Sequence, residues 1–470
     1  PNPVLVGLGL ALMVGAMAAL MFASHRPGHW WGDDWALYIR QAKSLVDGNP
    51  GSVTADNEFT VSESLGAPFS PPLYPWGYPL ILAPFVAVVG VDVDSLAVVT
   101  VLSACVFACA WFVLVRHRLG TAVAFISTPA ITLTPVLFSW SELIQSEWPF
   151  LAVTFTMLVA VDRAVDSGVL TDLTARWWPL VLLGFGAAAA FSVRREGLAM
   201  TAAIGGAQLA LLTTGSPPMR EWFRDRLLVL RLLVPHLSAL VTVYTLQFAL
   251  PSTLVPHYDG TSNRNTYRFS ERHVRHVADI VGLTRPWDRY VTVLGSEGLG
   301  LVAMWFVLIA MLSGVVAAVT IYRRRDLHLV VYGLVAFAIG GSFRSAINRY
   351  MTTVGPIVLL LALVGLATLI GYRRRWVGLA AAFLMCTAIL AGNLANVNLR
   401  VESARRTADA GAVEFGPTHP SAVELFDAVI ANSEPDDVVA GPKARALTLM
   451  TDRRSIQVDQ WRPLPDEWSP

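Results

Sequence analysis

Cysteine is nearly missing from this chain, with three residues, Cys105, Cys109 and Cys386, in 470. All three lie in apolar stretches. One pair four apart on a helix face supplies neither a disulfide framework nor a zinc ligand set. They read as small packing residues, the usual role of a free cysteine. Charge is scarce as well. Asp, Glu, Lys and Arg make up 15% of the residues, where a soluble domain carries about a quarter. The signs cancel to +1, so no global field draws the chain to nucleic acid. There is no Walker loop, no dinucleotide fingerprint, no internal repeat and no low-complexity tract. The run from Val4 to Phe22 has no basic region before it and no small-residue cleavage pattern after it. It reads as a retained first span rather than a signal peptide.

What fills the chain instead is apolar: 54% of it is hydrophobic, the composition of a polytopic membrane protein. A helix needs about 20 apolar residues to cross the hydrocarbon core. About eleven segments qualify: 4–24, 95–115, 121–138, 143–163, 178–193, 197–214, 228–250, 298–321, 327–343, 351–371 and 377–396. YPWGYPLILAPFVAVVG (74–90) is short and broken by proline, so it is expected as an interfacial or re-entrant element. With the N-terminus in the cytoplasm, the inside loops hold Arg116/Arg118, Asp162–Arg176, Arg220–Arg231, Arg323–Arg325 and Arg373–Arg375. Those are the compact basic runs, as the positive-inside rule requires. The outside then receives the loop 25–94, the loop 251–297 and the tail after about residue 397. The same face collects Asp33, Asp34, Glu142, Glu147, Arg194, Arg195, Glu196, Arg344 and Arg349 at span ends. Ionisable groups at that depth are costly and face a cavity or a partner.

The acids come first. In HWWGDDWALYIRQAKSL (29–45), apolar or aromatic positions 35, 38, 39, 42 and 45, continuing to 46, form one helical stripe. This predicts a helix on the membrane surface, starting at Asp33/Asp34 and ended by Gly48. A carboxylate there caps the helix, or, partly desolvated beside Trp30, Trp31 and Trp35, acts as a general base. One Asp can do each. In SWSELIQSEWPF (139–150), Glu142 and Glu147 are either helix-start acids or hard oxygen ligands suited to Mg²⁺ or Mn²⁺. A bound divalent cation would take Asp33, Asp34 and Glu142. FSVRREGL (191–198) and FRSAINRY (343–350) place Arg194, Arg195, Arg344 and Arg349 at outer span ends. An arginine fork there grips a lipid-linked phosphate or snorkels to headgroups. In 251–297, which also holds His257, the pair His273 and His276 lacks a convincing third ligand and reads as a solvated amphipathic face. SPPMREWFRDRLLVLR (216–231) reads as a basic helix on anionic lipid. The tail, 420–458, reads as helix, strand, helix, strand, with Ser421 and Glu424 as a capping box.

In chain order, GDDWALYIRQAKSLVDG, PPLYPWGYPLILAPFVAVVG, SELIQSEWPFL, RREGL and NRYMTTVGP resemble segments of the GT-C superfamily of membrane glycosyltransferases. The likeness is to the bacterial branch of lipid A aminoarabinose transferases and protein O-mannosyltransferase-like enzymes. The tail ELFDAVIANSEPDDVVAGPKARALTLMTDRR is similar to tails on such proteins. The resemblance implies an all-α polytopic fold of about 11 transmembrane helices. Residues 1–396 would be the catalytic domain, with interfacial helices in the first outer loop, and residues 397–470 a small extracytoplasmic α/β module. It implies an inverting enzyme of the cytoplasmic membrane, multi-pass, using a polyprenyl-phosphate sugar donor. The acceptor would be the hydroxyl of an envelope glycan, lipid or protein. Asp34, four residues before Tyr38, takes the place of the family's base. The family often carries a second acid immediately after it, where this chain has Trp35, and the extra acid precedes instead as Asp33. Both therefore stay candidates. Glu142 matches the acid of the second outer loop, and Arg195 and Arg349 match basic positions that hold the carrier phosphate. Tyr38, Glu147, Arg194, Arg344 and Tyr350 complete the implied substrate-binding set. The rival is a lipid-linked saccharide flippase, which would want polar residues along its spans and on both faces. A non-catalytic scaffold, with the acids as caps, is a third reading.

Overall fold

A computed structural model of the chain describes residues 2–65, 71–214, 224–253, 297–341, 348–411, 413 and 416–458. It is a helical bundle with one two-stranded sheet in the tail. The long helices are α1 (Pro3–Ala23), α5 (Val93–Leu119), α6 (Thr121–Thr132), α7 (Pro135–Ser139), α8 (Glu147–Asp166), α9 (Trp178–Val193), α10 (Leu198–Thr214), α11 (Arg226–Ala249), α12 (Glu297–Thr320), α13 (Arg323–Gly341), α14 (Val354–Ile370) and α15 (Arg375–Asp409). Between α1 and α5 lie α2 (Asp34–Val46), α3 (Pro50–Glu63) and α4 (Gly77–Val89).

Among the described residues, ten of the eleven apolar segments fall mainly on one helix each, and 121–138 is divided between α6 and α7. Six helical stretches among the described residues are both long and apolar enough to cross a membrane, and seven if α6 and α7 form one span broken by a 52° bend. The bend has a local cause. Thr134 precedes Pro135 and is pushed to extended backbone (ψ 143°), because the proline ring disfavours a helical residue before it. Helices α4, α9 and α14 are apolar but shorter.

Helices α12 and α14 touch backbone to backbone. A Cβ on Gly314 would strike the Leu361 carbonyl, and one on Gly365 the Ala310 carbonyl, the small-residue contact that lets lipid-embedded helices close up. At the end of the bundle carrying the basic clusters, Arg118 forks onto Asp162 at 2.6 and 2.7 Å and reaches Asp326 at 3.0 Å. That buried fork ties α5, α8 and α13.

At the opposite end, α2 is not an open surface helix. Trp35, Tyr38, Ile39 and Ala42 are buried as the stripe requires, but so are Ala36, Leu37 and Gln41, because α4 packs on one side and the tail on the other. Its end is as expected, with Gly48 at φ 71° in the left-handed geometry that favours glycine after a helix. The tail runs α16 (Pro420–Asn432), β1 (Val438–Gly441), α17 (Ala444–Thr451) and β2 (Arg454–Gln457), with β1 and β2 parallel. The cap of α16 is His419, which accepts the Ser421 N–H, rather than Ser421. Pro420 explains the shift, since its fixed φ suits the first helical position, so the cap falls on the residue before it, two back from Ser421. Helix α17 lies against α2, and β2 against α3.

Candidate active site at the tail-bearing end of the bundle

The site starts at the first turn of α2. His29, just upstream, fixes the approach: the Ile144 N–H donates to its Nε2 at 2.9 Å, and its Nδ1 lies 2.8 Å from the Trp30 carbonyl. Burial lowers its pKa to about 4, so it is a neutral staple. The two acids that follow then separate. Asp33 makes no cap bond to α2; its Oδ1 accepts the Ala446 N–H of α17 at 3.3 Å, while its Oδ2 is buried without a hydrogen-bond partner. Burial pushes the Asp33 carboxyl above the ordinary range, against the pull of Arg445 and the Ala446 N–H.

Asp34 sits differently. The Tyr74 hydroxyl donates to its Oδ1 at 2.6 Å, and Arg349 Nη1 to its Oδ2 at 2.6 Å. Burial alone would raise this carboxyl, but Arg349 and Tyr74 outweigh it and hold it below the usual carboxylate range. Its side chain remains 27% exposed, so a substrate can reach it.

Arg349 comes from a 3₁₀ turn, Asn348–Met351, just before α14. Its Nε also donates to Oε1 of Glu147, a fully buried acid that opens α8. Arg194, between α9 and α10, donates to the same Glu147 oxygen at 2.9 Å, to Ser146 Oγ at 3.1 Å and to Glu196 at 2.8 Å. Its guanidinium lies 5.7 Å from the Tyr350 ring. The Tyr38 hydroxyl pairs with Ser146 Oγ at 3.3 Å, and its ring lies tilted 4.9 Å from Tyr74 and edge-on 5.0 Å from Tyr78. Asp34, Tyr38, Glu147, Arg194, Arg349 and Tyr350 are thus one cluster, as the sequence led us to expect.

Other expected members lie elsewhere. Glu142 accepts from Arg26 at 3.3 and 3.2 Å and from Arg400 at 3.3 Å, tying the start of the first loop to α15. Its turn, Trp140–Glu142, runs into extended backbone at Leu143 (ψ 137°), and this reverses the chain between Glu142 and Glu147. Arg195 donates to the Thr253 carbonyl and lines a small cavity beside Trp76 and Leu250. Arg344, His257, His273 and His276 lie outside the described residues. Asp33, Asp34 and Glu142 do not form a cation ligand set: their oxygens face a tail amide, a tyrosine with an arginine, and two arginines. Among the described residues no three His, Cys, Asp or Glu gather as metal ligands.

Two residues that the sequence did not single out complete the cluster. Tyr74 supplies a hydroxyl from the segment before α4, and Arg445 supplies a fully buried guanidinium from α17, donating to the Tyr74 oxygen at 3.2 Å. Asp34, Glu147 and Glu196 lie among Arg194, Arg349 and Arg445, and Asp33 adds a fourth carboxyl beside Arg445. Beyond Glu147, an open apolar groove runs over the surface between α4, α5, α8 and α9, lined by Phe85, Val99, Pro149, Val153 and Gly186 together with the exposed Leu102 and Val106.

Residues 70–245 match the family model described as dolichyl-phosphate-mannose-protein mannosyltransferase. Among solved structures, apo ArnT from Cupriavidus metallidurans aligns with a TM-score of 0.54 over 96% of this chain and 86% of that one, at 14% identity. This chain has the GT-C fold. ArnT bound to undecaprenyl phosphate aligns over the same shares, 96% and 86%, with a TM-score of 0.53 at 15% identity. The Archaeoglobus fulgidus oligosaccharyltransferase, in complex with Zn and sulfate, gives a TM-score of 0.55 at 13% identity over 95% of this chain and 62% of that one. No curated protein matches the sequence. The GT-C resemblance read from the sequence therefore holds, and at these identities the structural likeness speaks to the fold.

Proposed function

We propose that this protein is a membrane glycosyltransferase that moves a sugar, with inversion, from a polyprenyl-phosphate carrier to an acceptor hydroxyl at the outer face of the cytoplasmic membrane. The observation that carries the reading is the Arg349 bridge, which fixes a part-exposed carboxylate, Asp34, and a buried one, Glu147, around one cation. The acceptor oxygen attacks the anomeric carbon as Asp34 takes its proton. The bond to phosphate breaks, and its electron pair leaves on the carrier phosphate. A single displacement of this kind inverts the anomeric centre.

Arg349 and Arg194 supply the fixed positive charge that the departing phosphate needs. The phosphate competes with Asp34 for Arg349, so carrier binding itself frees Oδ2 and raises the basicity of Asp34. The base is ready when the donor is in place. Undecaprenyl phosphate in the ArnT structure and dolichyl-phosphate mannose in the family description support the carrier class. The apolar groove beside Pro149 suits the isoprenoid chain. Basic clusters at the far end of the bundle support a cytoplasmic location for that end and an outer location for the site, with the N-terminus inside. Residues 1–396 then form the catalytic domain and the tail an outer module.

The test uses purified protein in liposomes with radiolabelled polyprenyl-phosphate sugar and an envelope extract as the acceptor source. Transfer by the wild type and its loss in Asp34→Asn support the reading. Movement of the carrier across the vesicle without any transfer supports the flippase and sinks it.

A further inference from the structure

We infer that Arg445, on the C-terminal tail, is a positioning residue for Asp34, acting through the hydroxyl of Tyr74. The inference deepens the transferase reading and rests on it for its kinetic test alone. Arg445 is fully buried. Its Nε donates to Asn57 Oδ1 at 2.9 Å, its Nη2 to the Pro71 carbonyl at 3.0 Å and its Nη1 to the Tyr74 oxygen at 3.2 Å. The guanidinium also sits 5.2 Å from the Tyr74 ring centre.

A guanidinium can only donate. The Tyr74 oxygen must therefore accept from Arg445, and its single proton is left for Asp34, 2.6 Å away. Without Arg445 the Tyr74 oxygen loses the donor that commits its proton to Asp34, and one of the two bonds that aim Asp34 loses that constraint. The same turn of α17 places the Ala446 N–H on Asp33. One tail helix thus holds one acid directly and orients the other through a tyrosine.

The tail has docking contacts besides those of Arg445. The Gln457 N–H donates to Ser64 Oγ at 2.7 Å, the Leu65 N–H to the Gln457 carbonyl at 2.9 Å, and Arg454 pairs with Asp56 at 3.2 Å. Burying a guanidinium carries a desolvation cost that an aliphatic side chain would avoid. Here its fork is used on the groups that frame the site.

The experiment compares wild type, Arg445→Met, Arg445→Lys, Tyr74→Phe and the Met/Phe double variant in full-length protein. For Arg445→Met, kcat falls roughly tenfold or more, in line with the loss of a preorganised donor, while KM for the carrier stays within about twofold. Lys restores part of kcat. The double variant is no worse than Tyr74→Phe alone, because both changes remove one interaction. Independently of activity, the carboxylate stretching band assigned to Asp34 by difference with Asp34→Asn shifts in Arg445→Met as it does in Tyr74→Phe. Multiplicative losses in the double variant, a KM effect without a kcat effect, or an unmoved Asp34 band overturns the inference. A wild type that transfers nothing overturns the function proposed above, and the infrared band then decides Arg445 by itself.

Discussion

Arg349 and Asp34 are 315 residues apart in the chain and meet at 2.6 Å. The same guanidinium turns its Nε to Glu147. One side chain therefore joins the first loop, the start of α8 and the turn before α14. Lysine keeps the charge at Arg349 but offers a point donor without the planar fork, so it satisfies one acid at a time. Arg349→Lys is expected to lower kcat by about 100-fold, the scale seen when one fixed donor to a developing charge is removed. Arg349→Ala should lower it further. Steady-state kinetics with a labelled carrier measure both, and a Lys variant at wild-type kcat would remove Arg349 from the mechanism.

The two adjacent acids should part company on substitution. Asp34→Asn loses the proton acceptor and should cost on the order of 10³ in kcat, within the range of general-base contributions. Asp33→Asn keeps an oxygen for the Ala446 N–H and should stay within a few-fold of wild type, while Asp33→Ala loses that bond.

The pH dependence carries a sign that tests the same assignment. Burial works to raise Asp34, but Arg349 and Tyr74 hold it below the ordinary carboxylate range. Its stabilising ion pair is therefore present above the unfolded-state pKa and is lost as pH falls through the depressed folded value. In kinetics, the acid limb of kcat/KM reports the free enzyme and should lie below the usual carboxylate pKa. The limb of kcat should lie higher, because the carrier phosphate draws Arg349 away. Coincident limbs would show that Arg349 does not exchange partners.

Much of this cluster was legible in the chain, and the reason is topological. Alternating the spans by the positive-inside rule brought Asp34, Glu147, Arg194 and Arg349 to one end before any contact was known. Glu142 illustrates the limit of that argument. It shares a twelve-residue segment with Glu147, but the 3₁₀ turn and the extended Leu143 give it to Arg26 and Arg400 instead, a backbone reversal that leaves no mark in residue type. Arg445 was invisible for another reason. In ARALTLMT it looks like any solvated helix arginine, and its partner Tyr74 lies 371 residues away. The GT-C fold was readable from ordered short motifs. The cap of α16 slipped by two residues, from Ser421 to His419, because Pro420 claims the first helical position.

Glu147 tests the buried half of the cluster. It is fully buried between Arg194 and Arg349, so Glu147→Gln leaves two guanidiniums to share the remaining acids. Removing one partner of a buried pair costs on the order of 3–5 kcal/mol, and this variant should show a clear drop in thermal midpoint in detergent. Adding Arg194→Met together with Glu196→Gln removes that cation without stranding its second acid, bonded at 2.8 Å, and should recover part of that loss. Strict additivity between Glu147→Gln and this pair of changes would mean that Glu147 and Arg194 are not coupled.

The apolar groove is testable through the carrier's own length. Val153 lines it two turns into α8, away from the charged cluster, so a larger side chain there competes with the isoprenoid chain without touching Asp34 or Arg349. Excluding a few methylenes from apolar burial costs about 0.8 kcal/mol each, so Val153→Trp should weaken binding of a long-chain carrier by about 2 kcal/mol, roughly 30-fold in KM. A carrier truncated to one or two isoprene units fills little of the groove and should show a much smaller KM increase in the variant. The kcat for both carriers should hold near wild type, since the reacting groups are unchanged. An equal KM increase for short and long carriers would place the lipid chain elsewhere on the bundle.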